Sequence, residues 1–315
     1  MSMLSVDAAF QRTAAELREE DGGEDGRSLT PWRRLISRFV RNRPGMIALI
    51  FLTVVVAVAI AAPLVAPQDP AHVSLTRINQ GPSGAHWLGT DDLGRDILSR
   101  LIYGARVSMR VAGLVVLLAA AAALPIGLLA GYFGRAVDAS LMRVMDALFT
   151  FPPLMLALAL AALLGPSLTN ASIAIAIPFI PGFARLVRAE VLAVKEEPFI
   201  EASRSVGASS GRMLRRHVLP NVASPLIVQV AVAFGYALLA EAALSFLGFG
   251  VQPPNASWGT MLQSAYNFVL DKPWAMIPPG VAIMLTVLAF NLVGDGLRDS
   301  LGREYFKVKK LKVAR

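Results

Sequence analysis

The apolar residues of this chain come in uninterrupted blocks, and that arrangement leaves few folds open. Residues 44–68, 111–134, 147–184 and 273–294 carry no charged side chain, and 218–270 carry only Glu241. A soluble domain can reach the 55% hydrophobic content seen here, but its apolar residues are dispersed at helical or strand spacing. About 20 consecutive apolar residues cross a bilayer core, and in lipid a helix satisfies all its own backbone groups. The expectation is an all-α polytopic membrane protein. Blocks 44–68, 111–134 and 273–294 are single crossings. As one helix, 147–184 would run about 57 Å, too far for one crossing, and LGPSLTN at 164–170 supplies a break. With one more span at roughly 222–248, the expected count is six transmembrane helices.

Lysine and arginine set the expected orientation. With the N-terminus inside, the inner segments 1–43, 135–146, 185–216 and 298–315 hold 24 of them. The outer segments 69–110 and 249–276 hold 6. The inside-positive bias therefore puts both termini in the cytoplasm. The net charge of +8 belongs to that bias. No basic stripe with interleaved aromatics stands apart from it, so no nucleic acid is expected as partner. The first apolar run is longer than a signal-peptide core and follows 43 residues, so it is expected to be retained as a span.

Residues 1–27 hold seven acidic side chains and no apolar period, the pattern of a mobile cytoplasmic tail. Over 28–43, Thr30 suits an N-cap and Pro31 the first helical position. Trp32, Leu35, Ile36, Phe39 and Val40 recur at helical spacing among arginines, which predicts an amphipathic helix lying in the headgroup plane. The six-span apolar region then occupies 44–300, with a cytoplasmic loop at 190–218, and 301–315 is a basic cytoplasmic tail.

The first outer loop contains GTDDLGRDILSRLIYGARVSM at 89–109. Asp91 or Asp92 can cap a helix there, with Leu93, Ile97, Leu98, Leu101 and Ile102 on one face. Its arginines run against the charge bias, which predicts partners such as Asp92 and Asp96. Two readings stay open for Asp92, Arg95, Asp96 and Arg100: an ordinary surface helix, or a lip over an external entrance that meets a delivery protein.

The absent chemistry is informative. No lysine follows a glycine, so there is no Walker A loop. The chain has no cysteine, and His72, His86 and His217 have no metal-ligand spacing. Ion-driven carriers bury several ionisable groups near mid-membrane, and here only Glu241 qualifies. Its favoured role is an anchor paired with an outer arginine or a cluster of hydrogen-bond donors. A chain so equipped needs an external engine on its cytoplasmic side.

The stretch EASRSVGASSGRMLRRHVLP at 201–220 is where such an engine can attach. Pro198 can open a short helix, Gly207 can end it in the left-handed conformation, and Ser209 or Ser210 can cap a second helix interrupted at Pro220. Phe199, Ile200, Ala202 and Val206 give the first helix an apolar surface too small for a fold of its own. The bland reading is a re-entry loop with inside-positive charge, and the functional one is a plug for a groove on a cytoplasmic partner.

Glu201-Ala202-Ser203, Gly207 and His217-x-Leu219-Pro220 resemble the EAA loop of ABC-importer permeases, with Ser203 and His217 as departures from its pattern. LGTDDLGRDILSRLIYGARVSM, EAALSFLGFGVQPPNASWGTML and RNRPGMIALI are similar to the C-type permeases of dipeptide and oligopeptide importers. The resemblance covers about 40 to 300 and implies the type I importer permease fold. It further implies a B-type permease partner, two ATPase subunits carrying ATP and Mg, and an extracytoplasmic solute-binding protein. Within it Phe199, Ile200, Glu201, Ala202, Ser203, Val206 and Gly207 take the coupling-helix role, with Leu219 and Pro220 closing the motif. The chain itself is expected to hold no cofactor and to sit in a bacterial cytoplasmic membrane, importing short peptides. A nickel or other small-solute importer is the nearest alternative, and an ion-coupled carrier or channel is the rival from another class. A membrane enzyme is disfavoured, since no nucleophile, metal or acid–base set is visible.

Overall fold

The computed structural model describes residues 31–313, with the backbone alone at 31–34, 204 and 302–313. The expected tail 1–27, Thr30 and the side chain of Trp32 lie outside what is described. Among the described residues the regular elements are helices, apart from an isolated bridge between Thr90 and Asp96. In chain order the main helices are α1 (Pro31–Arg41), α2 (Arg43–Ile60), α3 (Ile97–Phe133), α4 (Arg135–Phe149) and α5 (Pro153–Leu164). They continue as α6 (Leu168–Lys195), α7 (Pro198–Ser205), α8 (Leu219–Phe246), α9 (Trp258–Tyr266) and α10 (Ile277–Val313).

Five stretches are long and apolar enough to cross a membrane: Arg43–Ile60, Ile97–Phe133, Leu168–Lys195, Ser210–Phe246 and Pro273–Leu301. The count reaches six when α4 and α5 are taken together as one broken crossing; the two pass as a pair and are bent by 87° at a short break. The cause is local. Pro152 and Pro153 follow Thr150 and Phe151, and a proline pushes its predecessor out of the helical region. Two arginines of α6 then hold the bent piece: Arg188 grips Asp138 with both Nε and Nη2 at 2.5 Å, and Arg185 Nη2 lies 2.7 Å from Asp146. The break at 164–170 forms as expected. Ser167 caps α6, and Asn170 Nδ2 donates to the Leu164 and Gly165 carbonyls that end α5.

The centre of the bundle is the α3–α6 pair. Their facing sides are lined with small or β-branched residues, among them Ala112, Ala119, Ala123, Ala174, Ala184 and Val187, all buried. Lipid tails are as apolar as leucine, so helices in a membrane associate by close van der Waals contact, and small residues permit it. Gly127 and Gly131 show how close. A β-carbon on Gly127 would lie 2.5 Å from Val187 Cβ, and one on Gly131 would lie 2.7 Å from Val191 Cβ. Outside this pair, α10 packs on α8 with the Phe234 and Phe290 rings stacked at 4.9 Å. At the edge, Phe39 of α1 is buried with Ala48, Leu52, Ala289 and Val293. Ile36 and Val40 of the same helix stay exposed.

Candidate functional site

The hairpin between α6 and α8 rises from the bundle as two short helical pieces. Pro198 begins α7 because its missing N–H falls where a helix has no partner to offer. Gly207 ends it: its φ is +80°, and Ala208 N–H donates to Ser203 O at 3.1 Å. That six-to-one closure around a left-handed residue is the Schellman motif, and only glycine adopts its central conformation without strain. Ser203 and Ser205 turn their hydroxyls back on the helix, donating to Phe199 O at 2.7 Å and Glu201 O at 3.0 Å. Ser203 thus fills the place of the family's second alanine without offering a free donor outward.

The apolar side chains of α7 divide between two directions. Ile200 is 1% exposed and inserts among Val187, Val191, Val194, Met213, Val218 and Val222. It is a seat in the bundle and not part of an outward face, which sequence spacing alone could not separate. Phe199 remains 42% exposed and Val206 89%, with Glu201, Ala202 and Gly207 exposed beside them. Lys195, just before the hairpin, donates from Nζ to Gly131 O and Tyr132 O at 3.2 and 2.9 Å. A cation there suits the negative end of α3. The hairpin is therefore mounted on the end of α3 as well as on α6 and α8.

The second piece departs from expectation. Helix does not stop at Pro220: Ser210–Met213 runs into a π turn at Leu214–Val218, and α8 follows without interruption. Leu219 N–H donates to Leu214 O, one residue further back than in an α-helix. Pro220 lacks an N–H, and its ring would crowd the carbonyl four residues back in a regular helix; the wider turn relieves that conflict. Leu219 and Pro220 sit in the first turn of α8, at the root of the hairpin. His217 lies in the π turn with its ring 6.0 Å from that of Phe199, so the two pieces touch. Residues 207–211 also spell Gly-x-Ser-x-Gly, a nucleophile-elbow pattern when it joins a strand to a helix. Here it joins two helices, and the elbow geometry is absent.

At the other end of the bundle, the loop residues are arranged differently from the expected helix. Asp96, not Asp91 or Asp92, caps α3, accepting from Ser99 N and Ser99 Oγ at 2.8 Å each. Its other oxygen lies 3.0 Å from His86 Nδ1. Asp91 instead organises the turn before the helix: it accepts from Leu93 N and Arg95 N and pairs with Arg95 and Arg100 at 2.7 and 3.2 Å. Leu93 consequently precedes the helix and does not share its face. Asp92 meets Arg95 at 3.4 Å, whereas among the described residues Asp96 pairs with no arginine. Arg95, Asp96 and Arg100 are buried, and of the four only Asp92 keeps a partly exposed carboxylate.

Glu241 is 1% exposed, and its partners are hydroxyls instead of the arginine favoured from sequence. Ser108 Oγ donates to Oε2 at 3.0 Å and Ser245 Oγ to Oε1 at 2.7 Å. The donor-cluster form of the expectation is the one realised. Ser245 sits one turn along the same helix, a spacing visible in the sequence, but Ser108 is 133 residues away.

Similarity to known proteins agrees with this geometry. Residues 123–307 match the binding-protein-dependent transport system inner membrane component family, and 30–82 match the N-terminal TM domain of oligopeptide transport permease C. The dipeptide transport system permease protein DppC of Alkalihalophilus pseudofirmus is 45% identical over 274 residues, 87% of this chain and 90% of that protein. The glutathione transport system permease protein GsiD of Pectobacterium atrosepticum is 44% identical over 273 residues, 86% of this chain and 91% of that one. Among solved structures, the MetNI methionine ABC transporter in inward-facing conformations superposes with a TM-score of 0.52 at 19% identity, over 64% of this chain and 95% of that one. The chain is a multi-pass membrane transport subunit, not an enzyme, and belongs to the binding-protein-dependent transport system inner membrane component family.

Proposed function

We propose that this chain is one of two permease subunits forming the path of an ATP-driven importer of short peptides, and that α7 is its coupling helix. The observation that carries the proposal is the hairpin itself. A two-turn helix, closed by a left-handed glycine and seated by one buried isoleucine, leaves Val206 and one side of Phe199 uncovered among the described residues. Phe199, Glu201, Ala202, Ser203 and Val206 would enter a groove on an ATPase subunit, Ile200 would carry the motion inward, and Gly207 would set the exit angle. Leu219 and Pro220 would root the hairpin in α8.

Partners follow from that reading: a B-type permease, two ATPase subunits that bind ATP and Mg, and an extracytoplasmic solute-binding protein, with no cofactor in this chain. Of the entrance-side set Asp92, Arg95, Asp96 and Arg100, the partly exposed Asp92 would meet the delivered solute or its carrier. Both termini and 199–216 would be cytoplasmic, with 89–106 and 252–272 external; the arginine-rich flanks of the hairpin support this. The dipeptide and glutathione names of the relatives support a peptide substrate. The test is ATPase stimulation in the reconstituted complex by binding protein loaded with di-, tri- or longer peptides or with nickel. Stimulation by peptide-loaded protein is expected, and stimulation by nickel alone, or uptake without any ATPase, overturns the reading.

A further inference from the structure

Helix α9 lies against the bundle at the loop end, bonded to α3 through Ser108, whose hydroxyl in turn bonds the Glu241 carboxylate. Four pieces of chain converge around Glu241: Ser108 of α3 and Ser245 of α8 bond it directly, and the amides of Trp258 in α9 and Val251 in the linker 247–257 bond those two serines. The Trp258 N–H donates to Ser108 Oγ at 3.2 Å, and the Val251 N–H approaches Ser245 Oγ at 3.4 Å. Each serine oxygen therefore receives a backbone donor and turns its own proton to the carboxylate. The order is the same on both sides: amide to hydroxyl to carboxylate. Ser257 also lies at the carboxylate and caps α9 with a reciprocal pair of bonds to Thr260. Around this centre the packing is closed. Trp258 Nε1 donates to Leu101 O at 3.0 Å, and a β-carbon on Gly259 would lie 2.6 Å from Ala242 O.

Apolar packing would suffice to hold such a segment down. A buried carboxylate is an expensive alternative unless its bonds do something packing cannot. Directional bonds running from the α9 amide through Ser108 to a carboxylate on α8 select one position of α9 relative to α3 and α8, where an apolar seam tolerates sliding.

We propose that Glu241 is a positioning residue that locks 247–266 to α3 and α8, so that the segment and both spans move as one body when a loaded binding protein docks. The proposal rests on the importer reading above for the source of that motion. In Glu241→Gln the amide presents a donor to a hydroxyl that is already donating, with little change of volume.

The experiment uses the complete reconstituted complex, with equal membrane amounts of each variant. For Glu241→Gln we expect unchanged basal ATPase activity and a rise of about tenfold in the half-saturating concentration of loaded binding protein. Ser108→Ala should act in the same direction, and the double variant should add little to either single change. A second readout follows position directly. Spin labels on Leu117→Cys of α3 and Tyr266→Cys of α9, both exposed in a chain without native cysteine, should give a narrow distance distribution that broadens in Glu241→Gln. An unchanged distribution together with wild-type half-saturation overturns the proposal. So does a proportional loss of basal and stimulated activity at unchanged half-saturation, which is what simple destabilisation produces. If Glu241→Gln does not reach the membrane, Ser108→Ala and Ser245→Ala carry the same test. Should no loaded binding protein stimulate the wild-type complex, the importer reading fails, while the distance measurement still decides whether Glu241 positions the segment.

Discussion

Substitutions at Gly207 separate backbone strain from side-chain collision. Its φ is +80°, and an added β-carbon would meet nothing within 4 Å among the described residues. The cost of Gly207→Ala within the chain is therefore purely conformational, about 1–2 kcal/mol for a left-handed residue with a β-carbon. That corresponds to a drop of about 5–30-fold in the population of the native turn relative to competing exits of the hairpin. Valine adds the stiffness of a branched side chain, whereas asparagine tolerates the left-handed region better than other residues. The expected order of activity is Gly, then Asn, then Ala, then Val. Membrane levels should not change, because the spans are untouched. Uptake and the stimulation of ATPase by loaded binding protein should follow that order, while basal hydrolysis stays constant. If Asn, Ala and Val all lose activity equally, collision with the ATPase groove is the cause and the strain argument is wrong. If Gly207→Val works normally, the hairpin is only a connector.

Ile200→Ala empties a fully enclosed site between three spans and should cost about 2–5 kcal/mol of local stability, seen as lost coupling and faster proteolysis of the hairpin in detergent. Gly131→Val forces a branched side chain where even a β-carbon is too close to Val191, so the α3–α6 pair should lose about 1–3 kcal/mol and thermal stability of the purified complex should fall. In the cysteine-free chain, an impermeant thiol reagent applied to intact cells should label Leu270→Cys and leave Ser209→Cys untouched; the reverse pattern inverts the proposed orientation.

The crossings were legible because lipid leaves the backbone no alternative to the helix, and a charge-free block is visible in any window. Gly207 was legible for a similar reason: one residue type suits one backbone state. The bent α4–α5 pair was not, because the apolar block runs through the bend, and its clasp joins Asp138 to an arginine 50 residues away. Helical spacing put Ile200 and Phe199 in one apolar surface, but which of them faces the bundle depends on Val187, Met213 and Val222, brought there only by folding. At the loop end three aspartates compete for one cap. Asp91 is drawn off by Arg95 and Arg100, and Asp96 takes the helix; the winner is set by ion pairs that spacing does not reveal. The π turn was missed because Pro220 reads as a stop, and only the continuation on both sides turns it into a widened turn.

Helix α3 is gripped near both ends, by Asp96 and Ser108 at one and by Lys195, Val187 and Val191 at the other. Its grips face fixed azimuths, so its length is constrained as a phase. Each residue inserted between Ser108 and Gly127 would turn one grip about 100° against the other. Insertions of 7 or 11 residues nearly restore the angle but lengthen the helix by about 10 or 16 Å, which a bilayer of fixed thickness does not accommodate. Rotational registry and membrane thickness together leave this helix one permitted length, so its interior should accept substitutions while refusing insertions and deletions.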